Sequence, residues 1–236
     1  MTFPPSFFAP IPAPPAEDWS SVPPPADCGE GLADPTVLSG RISYDGAYLR
    51  QGLPGALEQC LLRQTVARKL AQAADRLPGG YSLLIFDALR PLSVQRGIYN
   101  NFRAQFLQER PDISEPELSA LLDDFVAKPV RRPHRPAPHA TGGAVDLTLC
   151  RDGFPLDMGT GFDDLTDLAH TDALERSCPP GREQARNNRR ILYHLMTSVG
   201  FVNYPCEWWH YAYGERQWAV RTGKPPFYGF LDLCDN

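Results

Sequence analysis

The residues of this chain that can do hydrolytic chemistry are few, and they cluster in two short stretches. Only five histidines occur in 236 residues. His139 opens the stretch HATGGAVDL and His210 closes EWWH. Gly142 and Gly143 lie between His139 and Asp146, and two glycines let a backbone turn sharply without a Cβ clash. A histidine on the loop and an aspartate on the strand that follows can then converge on one point. Val145 and Leu147 flank Asp146 and alternate to the opposite face. A lone carboxylate in an otherwise apolar strand is costly to bury unless it is paired or binds a metal. Glu207 and His210 supply a second carboxylate and imidazole. Two nitrogens and one oxygen, with a fourth position left for water, is the ligand pattern of a catalytic zinc site. The remaining carboxylate can take a proton from that water. By residue type alone, the four are as readable as capping and core residues as they are as a zinc hydrolase centre. One geometric difficulty stands out. Residues three apart point to opposite faces of an ideal strand, so Glu207 and His210 need a bulge, or a glutamate at the strand mouth just after Pro205.

Other groups compete less well. His134 lacks the downstream Gly-Gly-x-x-Asp context, and its neighbours Arg131, Arg132 and Arg135 read as a solvated basic cluster. His170 and His194 read as a loop and a helix-face residue. Cys150 and Cys206 lie near the expected ligands, which leaves a mixed site as a minor alternative. No Gly-x-Ser-x-Gly elbow exists to support a serine nucleophile.

The elements that must position these groups are legible in outline. Leu57, Leu61, Leu62, Ala67, Leu70, Ala74 and Leu77 fall at helical spacing, which predicts a helix over 56–77, stopped by Pro78-Gly79-Gly80. Tyr81–Phe86 reads as a buried strand. A second helix follows Pro91, with Val94, Ile98, Phe102 and Phe106 on one face. Ser114-Glu115-Pro116-Glu117 is a capping box that opens a third helix through Leu121, Leu122 and Phe125. Residues 129–142 are irregular, Ala144–Leu149 is a strand, and 150–181 reads as loop. Arg182–Val199 is a helix that Gly200 stops, and Glu207–Tyr213 is aromatic enough for a strand. Strands separated by helices predict an α+β single domain, with a small, mainly antiparallel sheet flanked by helices and the metal site at the sheet. Ten of the 25 prolines lie in residues 1–40. Proline removes backbone donors and fixes φ, so this segment is expected to be an extended arm laid over a catalytic domain at 41–236. Phe3, Phe7, Phe8 and Trp19 are its possible anchors.

Composition narrows the function classes. Apolar residues at 42% and charged residues at 22% are ordinary globular values. A formal net charge of −5 gives no reason to expect a nucleic-acid partner. No run approaches the ~18 uninterrupted apolar residues of a membrane span. The first residues lack the basic and apolar regions of a signal peptide. Six cysteines without a C-x-x-C pair fit reduced thiols, and the expectation is a soluble cytoplasmic protein.

With His139, Asp146 and Glu207-Trp208-Trp209-His210 in view, the sequence resembles the D-alanyl-D-alanine dipeptidases, a group of zinc D,D-peptidases. FDALRP (Phe86–Pro91), AVDLTL, MGTGFD (Met158–Asp163) and ARNNRR (Ala185–Arg190) fit the same resemblance in the same order, from about residue 41 to the end. The resemblance implies one Zn2+ per chain held by His139, Asp146 and His210, with Glu207 as general base. It implies that Arg90 stabilises the charge growing on the carbonyl oxygen, as a fixed guanidinium can. Asp163 and Tyr48 match positions that hold the ammonium of a small dipeptide substrate. Ala137 stands where the family has a serine, which implies relaxed selection among dipeptides. A small closed pocket is expected. The rival readings are a D,D-carboxypeptidase or other peptidoglycan peptidase on the same site, and a zinc-stabilised binding protein without catalysis.

Overall fold

The computed structural model describes residues 2–164 and 166–232. The side chain of Phe125, named above, and Cys234, the last of the six cysteines, lie outside the described residues. The frame of the fold is a sheet built around β5 (Ala144–Arg151), in the order β2 (Ile42–Tyr44), β4 (Tyr81–Asp87), β5, β8 (His210–Ala212), β7 (Val202–Asn203). β6 (Phe154–Pro155) folds back on the far end of β5. All pairs are antiparallel except β2 with β4. A second, two-stranded antiparallel sheet joins β1 (Leu32–Ala33) to β3 (Leu62–Arg63). The helices are α1 (Ala47–Arg50), α2 (Gln64–Asp75), α3 (Leu92–Glu109), α4 (Glu115–Phe125), α5 (Ala173–Arg176), α6 (Glu183–Ser198) and α7 (Arg216–Thr222). The architecture is the expected α+β domain with a mainly antiparallel sheet.

The core explains why the active face is free. Leu83 and Ile85 of β4 pair with Leu149 and Leu147 of β5. These four are fully buried in one cluster with α2 and α6, through residues such as Leu70 and Leu192. Each such leucine contributes roughly 1.5–3 kcal/mol relative to exposure. Strand alternation then turns Asp146 and Thr148 to the other face. On that side α3 and α4 form a second cluster with Tyr48, in which Ile98, Phe106, Leu118 and Leu122 are buried. The Ser114 capping box forms at the start of α4 as its sequence predicts.

Three elements differ from expectation. Residues 56–63 are not helical, and α2 begins only at Gln64. The Arg63 N–H donates to the Gly142 carbonyl at 2.9 Å, and its buried guanidinium donates to Thr141 O at 2.8 Å and Glu30 O at 2.6 Å. Those tertiary bonds pull Leu62–Arg63 into a strand despite helical periodicity. Within 150–181, expected as loop, α5 forms at Ala173–Arg176, and β5 runs to Arg151 and turns into β6 through Asp152 and Gly153, both at positive φ. Asp-Gly between strand residues is a strong hairpin signal, and the loop expectation passed over it. Finally, the strand expected over Glu207–Tyr213 starts at His210, because residues 205–209 form turns.

The proline-rich N-terminal residues mostly lack regular secondary structure, apart from short 3-10 turns at Pro5–Phe8 and Trp19–Ser21. Phe7, Ile11 and Val22 are buried, whereas Phe8 and Trp19 are exposed. Phe3 packs edge-on against Tyr81 at 4.7 Å between ring centroids. Proline-rich backbone offers few donors, so its carbonyls are met by side chains of the body: Arg190 donates to Phe8 O at 3.0 Å and Arg216 to Val22 O at 3.1 Å.

Candidate active site

His139 sits in a single 3-10 turn, Pro138–Thr141, just before β5. Gly142 adopts φ 69°, and a Cβ on Gly143 would lie 2.7 Å from the Tyr213 carbonyl. Both glycines are therefore required, one for its backbone angle and one for its lack of a side chain. β8 pairs with β5 so that Asp146 lies directly opposite His210. Directly opposed residues share a face, and the three side chains meet. His210 Nδ1 is 2.9 Å from Asp146 Oδ1 and 3.1 Å from His139 Nε2, and His139 Nε2 is 3.3 Å from Asp146 Oδ2. One ligand atom from each of the three lies within 4.8 Å of the other two, and all three residues are buried.

The outer partners decide how this cluster behaves. His139 Nδ1 donates to Ala88 O at 2.8 Å, with Asp87 Oδ2 also 3.1 Å away. His210 Nε2 donates to Gln217 Oε1 at 3.1 Å. With those nitrogens carrying the protons, both imidazoles turn unprotonated nitrogens toward each other and toward Asp146. In that tautomer the two nitrogens and the carboxylate are all acceptors, an arrangement that a cation satisfies. Two neutral imidazoles and a carboxylate, each oriented from outside, suit Zn2+. Burial raises the Asp146 pKa, but contacts with His139 and His210 outweigh it and hold the carboxyl well below its usual range. Burial also opposes a charged His139, yet Asp146 wins and the net shift is upward.

Glu207 lies in the turn between β7 and β8, so the difficulty with strand alternation disappears. Its N–H donates to Tyr204 O at 3.1 Å, and Asn203 Nδ2 donates to the carbonyls of both Glu207 and His210 at 3.0 Å. The carboxylate is 3.7 Å from His210 Nδ1, beside the cluster and not part of it. About a third of the side chain, 31%, opens onto the cavity. Withdrawal from bulk water pushes its pKa up to about 7, with Asp146 and Asp163 adding to the effect and His210 opposing it.

Arg90 follows the irregularity that ends β4, where the register shifts between Ile85 and Asp87. Its Nε donates to Asp87 at 2.8 Å, Nη1 to Gln95 Oε1 at 3.0 Å, and Nη2 to Tyr48 OH at 3.4 Å, with Asp146 Oδ2 at 3.5 Å. Burial disfavours its charge, but Tyr48 and the surrounding carboxylates raise its pKa overall. Asp163 adopts the left-handed conformation at φ 60°, and Tyr48 OH donates to its carboxylate at 3.1 Å. Burial pushes the Asp163 carboxyl up to about 7. Phe162 stacks on Phe86 at 4.8 Å and fixes the loop beside it. All seven residues expected to form the site thus line one cavity of about 560 Å³. It is wider than the small closed pocket expected.

Sequence reasoning passed over several supporting residues. Asp87 lies within FDALRP and carried a readable signal. Arg189, within ARNNRR, is buried and donates to Met158 O at 2.6 Å, His170 O at 2.7 Å and Leu168 O at 2.8 Å, which ties down the loop that bears Asp163. Gln217 carried no signal. Its place follows from the Glu215 cap, whose carboxylate accepts the Gln217 and Trp218 N–H groups at the start of α7.

A sequence profile described as D-ala-D-ala dipeptidase, Peptidase_M15, matches residues 50–224. The chain belongs to this family. A D-alanyl-D-alanine dipeptidase of Synechocystis is 32% identical over 212 residues, which cover 82% of this chain and 85% of that one. A D-alanyl-D-alanine dipeptidase of Escherichia coli K12 is 35% identical over 156 residues, 65% of this chain and 66% of the relative. The solved vancomycin-resistance D,D-pentapeptidase VanY, in complex with Zn(II), superposes with a TM-score of 0.47 at 17% identity, over 88% of this chain and 97% of that one. Membership of the M15 peptidases makes the chain a metallopeptidase. Among its described residues no helix is long and apolar enough to cross a membrane.

Proposed function

We propose that this chain is a zinc-dependent dipeptidase that hydrolyses D-Ala-D-Ala or related free D,D-dipeptides. The observation that carries the reading is the buried convergence of His139, Asp146 and His210, with Glu207 beside it and Arg90 locked across it. The three residues would hold one Zn2+, which supplies Lewis-acid polarisation and acidifies water at neutral pH. Glu207, poised near neutrality, takes a proton from the attacking water. As the oxygen bonds to the peptide carbon, charge builds on the carbonyl oxygen, and Arg90 meets it through a guanidinium that Asp87 and Gln95 hold still. Glu207 then passes the proton to the leaving nitrogen as the C–N bond breaks, which releases two free amino acids. Asp163 and Tyr48 receive the substrate ammonium, for which a carboxylate forms a charge-assisted hydrogen bond. In this reading residues 1–40 are an arm and 41–236 the catalytic unit. Free thiols at Cys28, Cys60, Cys150, Cys178 and Cys206 fit a reducing compartment such as the cytoplasm.

The test is turnover of a dipeptide panel of all chiralities, with zinc content measured on the same samples. The wild type is expected to cleave D,D-dipeptides, and Glu207→Gln to keep zinc while losing roughly 10²–10⁴ in kcat. Near-normal turnover by that variant overturns the role of Glu207. The generous cavity favours one rival, a D,D-carboxypeptidase on the same residues. An N-acetylated dipeptide that proved the better substrate would establish that rival instead.

A further inference from the structure

Trp19 stands on the wall of the catalytic cavity, although it comes from the proline-rich segment outside the 50–224 matched by the family profile. Asp164, Asp167, His170 and Cys206 line the same cavity. The place of Trp19 is fixed by several contacts. Asp18 caps the short turn Trp19–Ser21 by accepting the Ser20 N–H at 3.0 Å. The Trp19 indole N–H donates to Glu17 at 2.8 Å, and Glu17 pairs with Arg221 of α7 at 2.7 Å. Further on, Val22 is buried against Trp218 and Ala219, and Arg216 donates to the carbonyls of Val22 and Pro23, each at 3.1 Å. The segment is therefore held to the helix that also carries Gln217.

Despite this anchoring, Trp19 is 42% exposed. Its N–H is already used by Glu17, so the ring offers the cavity only its π face and carbon edge. The ammonium of a dipeptide has its own partners in Asp163 and Tyr48, which leaves an apolar side chain as the group the ring suits. The volume agrees. A cavity of about 560 Å³ lies in the ~300–1,000 Å³ range that holds drug-sized ligands, far more than two methyl side chains fill. The lining also includes the apolar side chains of Ile98, Phe102 and Val126.

We propose that Trp19 is a specificity-determining residue: an apolar wall against which a side chain larger than methyl packs, so that the preferred substrates are free D,D-dipeptides with one bulky apolar residue. This rests on the dipeptidase reading above. The experiment measures kcat/KM of the full-length, zinc-loaded enzyme for D-Ala-D-Ala, D-Leu-D-Ala and D-Ala-D-Leu in wild type, Trp19→Ala and Trp19→Phe. The wild type should prefer a leucyl dipeptide. Trp19→Ala should lower the leucyl-to-alanyl ratio about tenfold or more, chiefly through KM, in line with the discrimination of hydrophobic pockets, and Trp19→Phe should restore most of it. An unchanged ratio, an equal loss on all three substrates, or a wild type that prefers D-Ala-D-Ala overturns the proposal. If the wild type cleaves none of the three, the dipeptidase reading falls on its own. Calorimetric titration with D-Leu-D-Ala then decides about Trp19: weaker binding to Trp19→Ala than to wild type supports the wall, and equal binding or none refutes it.

Discussion

Gln217→Leu should separate zinc affinity from fold stability, because the two respond with opposite sign. Were zinc held through Nδ1, the His210 Nε2–H would have one acceptor among the described residues, Gln217 Oε1 at 3.1 Å. Leucine leaves that buried donor unpaired, at a cost of about 1–3 kcal/mol. Tenfold in affinity is about 1.4 kcal/mol, so zinc binding should weaken by roughly 10- to 100-fold, the range typical of lost outer partners of metal ligands. Without metal the ring has a way out. It can carry its proton on Nδ1 instead and donate to Asp146 Oδ1, only 2.9 Å away. Gln217 Nε2 is itself buried without a partner among the described residues, and leucine removes that penalty. The metal-free variant should therefore unfold at the wild-type Tm or above it. Competition with a chelator of known affinity gives the zinc Kd, and thermal denaturation with and without metal gives both Tm values. Gln217→Glu keeps an acceptor and should retain most of the affinity. Zinc affinity of Gln217→Leu within twofold of wild type, or a metal-free Tm that drops along with it, refutes the reasoning.

Three further outcomes are expected. Glu207 and Asp163 are both pushed up to about 7, and the proposed mechanism needs both ionised, so kcat/KM should fall with a slope of two as pH drops; Asp163→Asn should leave a slope of one, and bound zinc should move the limb to lower pH without altering its slope. In Gly143→Ala the new Cβ meets the Tyr213 carbonyl at 2.7 Å and Thr141 Oγ1 at 3.0 Å; overpacking of this kind costs about 1–3 kcal/mol, to be read as a lower denaturant midpoint together with weaker zinc binding. Ala137→Ser places a hydroxyl on the cavity wall and should sharpen the preference for one dipeptide over its isosteres, because discrimination is strongest where a polar contact is left unpaired; an unchanged substrate ratio in the panel above counts against the relaxed selection expected from Ala137.

Much of this protein was determined by short stretches of sequence. The Gly-Gly turn between His139 and Asp146, the apolar neighbours that set Asp146 on a strand, and the capping box at Ser114 are all local, because each depends on residues within one turn or one strand. The same holds for the start of α3 after Pro91 and the stop of α6 at Gly200. What the tertiary structure decided is everything that depends on which distant segments meet. The opposition of Asp146 and His210 is a matter of strand register between residues 64 apart, and a single-residue slip would turn every side chain of β8 to the other face. The strand at Leu62–Arg63 arises because a buried guanidinium reaches carbonyls near residues 30 and 141, which helical periodicity cannot register. Gln217 and Trp19 belong to the same class. Gln217 sits in no recognisable pattern, Trp19 reads along the chain only as an anchor of the proline-rich arm, and each lines the cavity only because the chain brings α7 and the proline-rich segment there. Propensity and patterning act along the chain, whereas a site is made by packing across it.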